Sequence, residues 1–285
     1  MNEIVRLALA EDIGPGDVTT EACVPKSQQA AGRFLARESF VLAGIDLLRE
    51  IYEARGGVEE LAFQRRDGDC VRDGNVLATV SGNAHTLLEC ERVALNFLQR
   101  LSGVATRARQ FADAVAGTGC QVLDTRKTTP GLRALEKRAA AAGGVVNHRM
   151  GLFDAILIKN NHIAAAGGVR AAIERARRAA LPIEIEVRTR AELREAIEAG
   201  AAHLLLDNLT PAEAADWIRE IRGRAKVELS GGITLENVRA YAEAGADYVS
   251  SGAITHSARS VDISFRLDFV GQAASLQPLG KRPHS

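Results

Sequence analysis

The stretch from residue 183 to 232, IEIEVRTRAELREAIEAGAAHLLLDNLTPAEAADWIREIRGRAKVELSGG, decides the fold. Three short apolar runs, Ile183 to Val187, Leu204 to Asp207 and Lys226 to Ser230, each end in polar residues. Helical segments over about 190–199 and 211–222 fill the gaps between them. Such runs have strand length and the spacers have helix length, so the unit is strand, helix, strand. Units of this kind joined in series require right-handed crossovers and a parallel sheet.

The same unit recurs outward in both directions, at Gln121 to Asp124, Ala155 to Lys159 and Asp247 to Ser250, with helices at about 131–142, 168–180 and 234–244. Six units predict an α/β barrel, short of the usual eight. Upstream the pattern changes. Residues from about 28 to 80 carry β-like runs, Ala31 to Ala36 and Val76 to Val80, broken by turn-rich segments such as Arg66-Asp67-Gly68-Asp69. Between them Ile45 to Ala54 has helical spacing and stops at Gly56-Gly57. A long helix follows from Thr86 to Ala116, its stripe of Leu87, Cys90, Val93, Phe97 and Leu101 bridging the two parts, with an interruption expected at Ser102-Gly103. The tail from Val261 to Gln272 is expected to form a final helix, and Pro278 to Ser285 to fray.

Composition excludes whole classes of partner. Lys plus Arg and Asp plus Glu number 36 each, so no global field draws the chain to nucleic acid or to an acidic membrane. No run approaches the ~18 apolar residues of a bilayer span. The first helix carries acids and lacks the basic and apolar regions of a signal peptide, so the cytosol is the expected compartment. Cys23, Cys70, Cys90 and Cys120 lack metal-ligand spacing and read as reduced, buried thiols.

The chemistry is expected at the carboxyl ends of the strands, where barrel enzymes keep their sites. Those ends are Asp124-Thr125-Arg126-Lys127, Lys159-Asn160-Asn161-His162, Glu186, Asp207-Asn208, Ser230-Gly231-Gly232 and Ser250-Ser251-Gly252-Ala253. One polar strand end is an ordinary loop; six in register are a site. The two glycine-rich turns fit a phosphate cup, with glycine letting the backbone approach and the amides of a helix beginning at Thr234 facing the anion. Cations crowd the first half of the rim, where Arg126, Lys127, Arg133, Lys137, Arg138, His148, Arg149 and Lys159 lie within 34 residues. Lys137 and Arg138, inside an alanine-rich helix, read as its solvated face, and His85 and His203 as structural histidines. Glu186 and Asp207 end consecutive strands and suit sugar hydroxyls, Mg²⁺ or acid and base work. A Schiff base at Lys159, as in a phosphosugar aldolase or isomerase, is the competing use of the same rim.

In chain order, Glu11-Asp12-Ile13-Gly14 with Asp17-Val18-Thr19-Thr20, Glu91-Arg92-Val93-Ala94-Leu95-Asn96 with Leu101-Ser102-Gly103-Val104-Ala105-Thr106, Asp124-Thr125-Arg126-Lys127-Thr128, Asn147-His148-Arg149, Lys159-Asn160-Asn161-His162, Leu206-Asp207-Asn208, Ser230-Gly231-Gly232 and Gly252-Ala253-Ile254-Thr255-His256-Ser257 resemble the quinolinate phosphoribosyltransferases. The resemblance spans about residues 11 to 270. It implies an N-terminal α/β sandwich domain over 1–104, with 261–285 packing back on it, and an open, incomplete α/β barrel over 105–260. It implies transfer of phosphoribosyl from phosphoribosyl pyrophosphate to quinolinate with loss of CO2, Mg²⁺ as cofactor, and a homodimer in which Arg92 enters the neighbouring site. By the same resemblance Arg126, His148 and Arg149 hold the quinolinate carboxylates, and Lys127 and Lys159, with Thr125 beside them, stand between these and the phosphoryl groups. Glu186 and Asp207 take ribose hydroxyls and Mg²⁺, while Ser230, Gly231, Gly232, Ser251, Gly252 and Ala253 cradle the 5′-phosphate, with His256 near the pyrophosphate. Asn160 and Arg188 depart from the family pattern and bear on the pairing of Lys159 with Glu186. A close relative encoded beside molybdenum-uptake genes shares most of these motifs and is the alternative within the resemblance.

Overall fold

The structure, a computed structural model, describes residues 3–269. Helices α1 (Glu3–Ile13) and α2 (Val18–Cys23) lead into strands β1 (Gln29–Ala36) and β2 (Phe40–Val41), helix α3 (Leu47–Glu53), and strands β3 (Glu60–Phe63), β4 (Cys70–Val71) and β5 (Val76–Asn83). The helix α4 (Ala84–Ala114) closes this half. Then β6 (Gln121–Leu123), α5 (Arg133–Ala142), β7 (Ile156–Ile158), α6 (Asn160–Ala166), α7 (Val169–Ala176), β8 (Ile183–Val187) and α8 (Arg190–Glu198) follow. The chain continues with β9 (His203–Asp207), α9 (Pro211–Ile221), β10 (Lys226–Ser230), α10 (Val238–Glu243), β11 (Tyr248–Ser250) and β12 (Ile263–Phe269).

The six parallel strands run in the order β6-β11-β10-β9-β8-β7. β6 and β7 form no ladder with each other, so the barrel stays open between them. The first half is an antiparallel sheet in the order β12-β1-β5-β3. In the βα units the helix starts are fixed by local chemistry. Thr189 and Thr210 each accept the amide three residues on, from Glu192 and Glu213, whose carboxylates accept the threonine amides in return. Pro211 at the first turn adds a preset φ. These caps keep the preceding loops short and hold Arg188 and Asn208 beside the strand ends.

Three expectations fail here for identifiable reasons. Helix α4 runs unbroken through Ser102-Gly103. A Cβ on Gly103 would lie 2.0 Å from the Arg259 carbonyl oxygen, so this glycine permits backbone contact rather than ending a helix. The segment expected as a final helix is instead β12, whose Phe265 pairs opposite Phe34 of β1, with the rings 4.7 Å apart; aromatic and β-branched residues at alternate places outweigh the helical spacing. Of the four thiols only Cys90 and Cys120 are buried, whereas Cys23 and Cys70 are exposed. The expected fraying of Pro278 to Ser285 lies outside the described residues.

Candidate active site

The register of β8 on β9 places Val187 opposite Leu206, so Glu186 and Asp207 project from neighbouring strand ends. Glu186 is 3% exposed, and each of its oxygens has a cation. Lys159 Nζ stands 3.4 Å from Oε2, while Arg188 donates to Oε1 from Nε at 3.1 Å and Nη2 at 2.9 Å. Arg188 therefore shares Glu186 with Lys159 and does not displace it. Asp207 accepts from Asn208 Nδ2 at 2.7 Å. Burial raises its pKa, the charge of Glu186 adds to the rise, and Lys159, Arg188 and Lys127 oppose it. These five groups occupy one electrostatic field.

Next to Asp207, past the end of the adjacent strand, stands the glycine-rich cup. Gly231 sits at φ +93°, where a Cβ would meet Asn208 Oδ1 at 2.2 Å. The amides of Gly231 and Gly232 donate to no acceptor among the described residues, which leaves two N–H groups for an anion. Buried Ser251 donates from Oγ to the Ile233 carbonyl at 2.6 Å, joining the two cup loops, and accepts from the Ala253 amide. A Cβ on Gly252 would come within 2.7 Å of Lys127 Cδ and 3.0 Å of the His256 ring, so glycine is what lets these two side chains approach the cup. Thr255 Oγ1 donates to the Lys127 carbonyl at 2.8 Å and so ties the His256 loop to the end of β6. The expected helix amides are absent from this cup. α10 begins only at Val238, after a turn in which Asn237 accepts from the Thr234 amide, so the donors are loop amides.

Lys137 is the clearest error of the sequence reading. It is fully buried and paired with the equally buried Asp124. Asp124 also accepts from the His148 amide at 2.8 Å and from Asn147 Nδ2 at 2.7 Å, while Lys137 Nζ donates to the His148 carbonyl at 2.8 Å. Burial raises the Asp124 pKa, and these donors work against that rise. Arg138 is exposed and bonds Asp46, as a solvated helix face should. The network delivers His148 and Arg149 toward the barrel interior. Burial lowers the Arg149 pKa and the like charge of Arg126 lowers it further. Arg149 Nη1 donates to the Ala155 carbonyl at 3.1 Å, and Arg126 Nε is buried with no partner among the described residues. Thr125 Oγ1 caps the turn by accepting from the Lys127 amide at 3.1 Å.

His148 points inward, its Nε2 lying 3.1 Å from Glu184 Oε2 and 3.4 Å from Glu228 Oε2. Burial disfavours a charged ring, while the two carboxylates favour one and raise the pKa. The backbone bond decides between them: the Arg149 amide donates to Nδ1 at 2.8 Å, which needs that nitrogen bare, so the ring in this arrangement carries its one proton on Nε2. Sequence reasoning missed Glu184 and Glu228. Their signal was an acid two residues before a rim residue on the same strand, before Glu186 and before Ser230, which alternation places on the same inward face. It also missed Arg100, which donates to Glu136 Oε1, Thr255 O and Ala258 O and braces the loops carrying Thr129 and His256. Lys159-Asn160-Asn161-His162 was read as a strand end, yet Asn160 opens α6 and His162 Nδ1 accepts from the Lys159 amide. Arg92 lies exposed on α4, and no contact joins it to the rim among the described residues. His85 and His203 are structural, the first bonded to the Val24 carbonyl and the second stacked on Tyr248.

A β/α barrel with an amide-lined cup, two rim carboxylates and a set of converging cations defines an enzyme acting on a phosphorylated, multiply anionic small molecule. The family descriptions that match are narrower: the N-terminal domain of quinolinate phosphoribosyl transferase over residues 17–102 and its C-terminal domain over 104–266. The chain belongs to the quinolinate phosphoribosyltransferase family. It is 42% identical over 257 residues to a probable nicotinate-nucleotide pyrophosphorylase [carboxylating] of Bacillus subtilis, covering 89% of each chain. It is 40% identical over 290 residues to the chloroplastic enzyme of that name from Arabidopsis thaliana, covering 94% of this chain and 83% of the relative. The crystal structure of NadC from Streptococcus pyogenes superposes with a TM-score of 0.89 at 39% identity, covering 94% of this chain and 96% of that one.

Proposed function

We propose that this chain transfers the phosphoribosyl group of phosphoribosyl pyrophosphate to quinolinate, with decarboxylation, giving nicotinate mononucleotide, pyrophosphate and CO2 in de novo NAD biosynthesis. The observation that carries the reading is Arg126 Nε, buried with no partner among the described residues, on a rim where its charge is felt by the partly buried Arg149. Guanidinium donors left unpaired in a buried place are a cost that a dicarboxylate neutralises. Lys127 stands against the cup at Gly252, and Lys127 and Lys159 both act on Asp207. Ser230, Gly231, Gly232, Ser251, Gly252 and Ala253 take the 5′-phosphate, and His256 faces the pyrophosphate beside Lys127.

As pyrophosphate leaves, positive charge develops on the ribose, and Glu186 and Asp207 lie where they stabilise it. The pyridine nitrogen, held in place by its two carboxylates, forms the new bond to the anomeric carbon. Ribosylation makes the ring cationic. The bond between C2 and its carboxylate then breaks, its electron pair drawn toward the charged nitrogen, and C2 takes a proton. Positioning and charge do the work, and no covalent enzyme intermediate is needed.

The donor set suits Mg²⁺. Asp207 and Glu186 would be its oxygen ligands from adjacent strands: Asp207 is in no ion pair among the described residues, whereas at Glu186 Mg²⁺ would take the place of Lys159 or Arg188, which now face its two oxygens. Bound there, Mg²⁺ would offset charge on the departing pyrophosphate. The two exposed, free thiols suit a reducing cytosol. Arg92 suits a homodimer, because it is an exposed cation on α4 with no role in its own rim. Mixing Arg92→Ala with Lys127→Ala subunits should restore activity; no recovery after proven subunit exchange would remove the shared site.

The aldolase reading is disfavoured because Lys159 is half exposed in an ion pair with Glu186, unlike the desolvated amine that attacks a carbonyl. The deciding assay is release of CO2 from carboxyl-labelled quinolinate with phosphoribosyl pyrophosphate and Mg²⁺, with nicotinate as the control. Absence of CO2 release would overturn the proposed function.

A further inference from the structure

The barrel interior holds two acids that the reaction above does not use. Glu184 of β8 and Glu228 of β10 are 8% and 3% exposed. Barrel interiors are filled by apolar side chains, so buried carboxylates must answer to a partner. That partner is His148, which together with them lines a cavity of about 490 Å³ that also reaches His203 and Tyr248. The hydrogen bonds of the ring run from Nε2 to the two carboxylates and from the Arg149 amide to Nδ1.

We propose that Glu184 and Glu228 are positioning residues of the quinolinate site, fixing the His148 ring by accepting its Nε2 proton and, through the amide that donates to Nδ1, fixing the course of the chain into Arg149. This inference rests on the proposed function. The chain of contacts is short. The acids set which ring nitrogen carries the proton, that choice leaves Nδ1 free to accept, and the bond at Nδ1 pins the peptide between His148 and Arg149. The guanidinium anchored at the Ala155 carbonyl then keeps its place.

The His148, Glu184 and Glu228 ligand atoms lie within 4.8 Å of one another, a spacing that also fits a metal ion. The bond at Nδ1 argues against one. A metal-bound imidazole donates its second N–H to an acceptor, whereas here the second nitrogen accepts a backbone N–H.

The test is an acceptor-for-none exchange. Glu184→Met and Glu228→Met keep the side-chain volume and remove the acceptor; Glu184→Gln and Glu228→Gln keep an acceptor oxygen. Each Met variant is expected to raise the KM for quinolinate about tenfold, matching a lost hydrogen bond. The KM for phosphoribosyl pyrophosphate should stay within about twofold, and the Gln variants should recover most of the loss. A purely structural role would instead lower the melting temperature and weaken both substrates together, and that result overturns the inference. So does a Met variant with wild-type quinolinate affinity. Quinolinate titrated into the wild-type enzyme by calorimetry separates the two failures: no binding there sinks the proposed function, whereas normal binding there with unaltered Met variants sinks only the role of the acids.

Discussion

Replacing Lys137 by Met tests whether the site is suspended from a buried ion pair. Lys137 and Asp124 are both fully buried, and the pair also carries the His148 amide, the His148 carbonyl and Asn147. Methionine matches the lysine stem in length but leaves Asp124 with two donors where it had three. Breaking a buried pair by removing one partner costs about 3–5 kcal/mol, because the remaining charge stays desolvated. Native proteins are stable by only about 5–15 kcal/mol, so the loss is about a fifth of the total or more. Urea titration followed by circular dichroism should show it as a lower midpoint at unchanged slope. Pairing Lys137→Met with Asp124→Asn removes the stranded charge while keeping an acceptor for the His148 amide, and should recover at least half of the loss. A change below about 1 kcal/mol in the single variant would mean that Lys137 is solvated and that the network is not what holds Asn147 to Arg149 in place.

Three further outcomes follow from other parts of the molecule. Arg149→Ala should weaken quinolinate binding roughly 10- to 100-fold, from the loss of a charged hydrogen bond of about 1.5–3 kcal/mol; unchanged affinity in calorimetry would remove Arg149 from the carboxylate site. Gly252→Ala should raise the KM for phosphoribosyl pyrophosphate far more than that for quinolinate, because its methyl group would press on Lys127 and His256 at the cup; equal effects on the two would contradict the assignment of the cup. Iodoacetamide at pH 8.5 should label Cys23 and Cys70 in the folded protein and spare Cys90 and Cys120, whose thiols burial pushes up to about 12. Mass spectrometry finding labelled Cys90 before unfolding would refute that burial.

Periodicity is a local signal, right for the barrel strands and wrong for the tail, where helical spacing gave way to β12. The six parallel strands were legible because each is a short apolar run ending in a polar residue, and the caps at Thr189 and Thr210 lie within four residues of their partners. What escaped depends on contacts distant in sequence. Gly103 reads as a helix breaker until the Arg259 carbonyl, 156 positions away in the numbering, is seen to touch it. The strand β12 needs β1 as its partner, across more than two hundred residues.

Lys137 and Glu184 show why the site was only half legible. A lysine in an alanine-rich helix and a glutamate in a strand each look solvated, since a charge rarely goes inside alone. Burial becomes tolerable only when partners arrive from elsewhere: Asp124 for the lysine, His148 for the glutamate. The rim residues could be found by position because any anion site in this architecture must lie at the strand ends. Their supports carry no such positional mark. Pairing each inward-facing charge with an opposite charge on a neighbouring unit would have marked them, since Glu184 and Glu228 flank β9 and can meet only what enters the barrel between them. The segment that enters is the one bearing His148: Val146 pairs with Leu123 at the edge of β6, in the gap that β6 and β7 leave. The opening in the barrel and the acids within it are therefore linked: the gap admits a loop that carries cations inward, and the buried carboxylates give that loop a place to end.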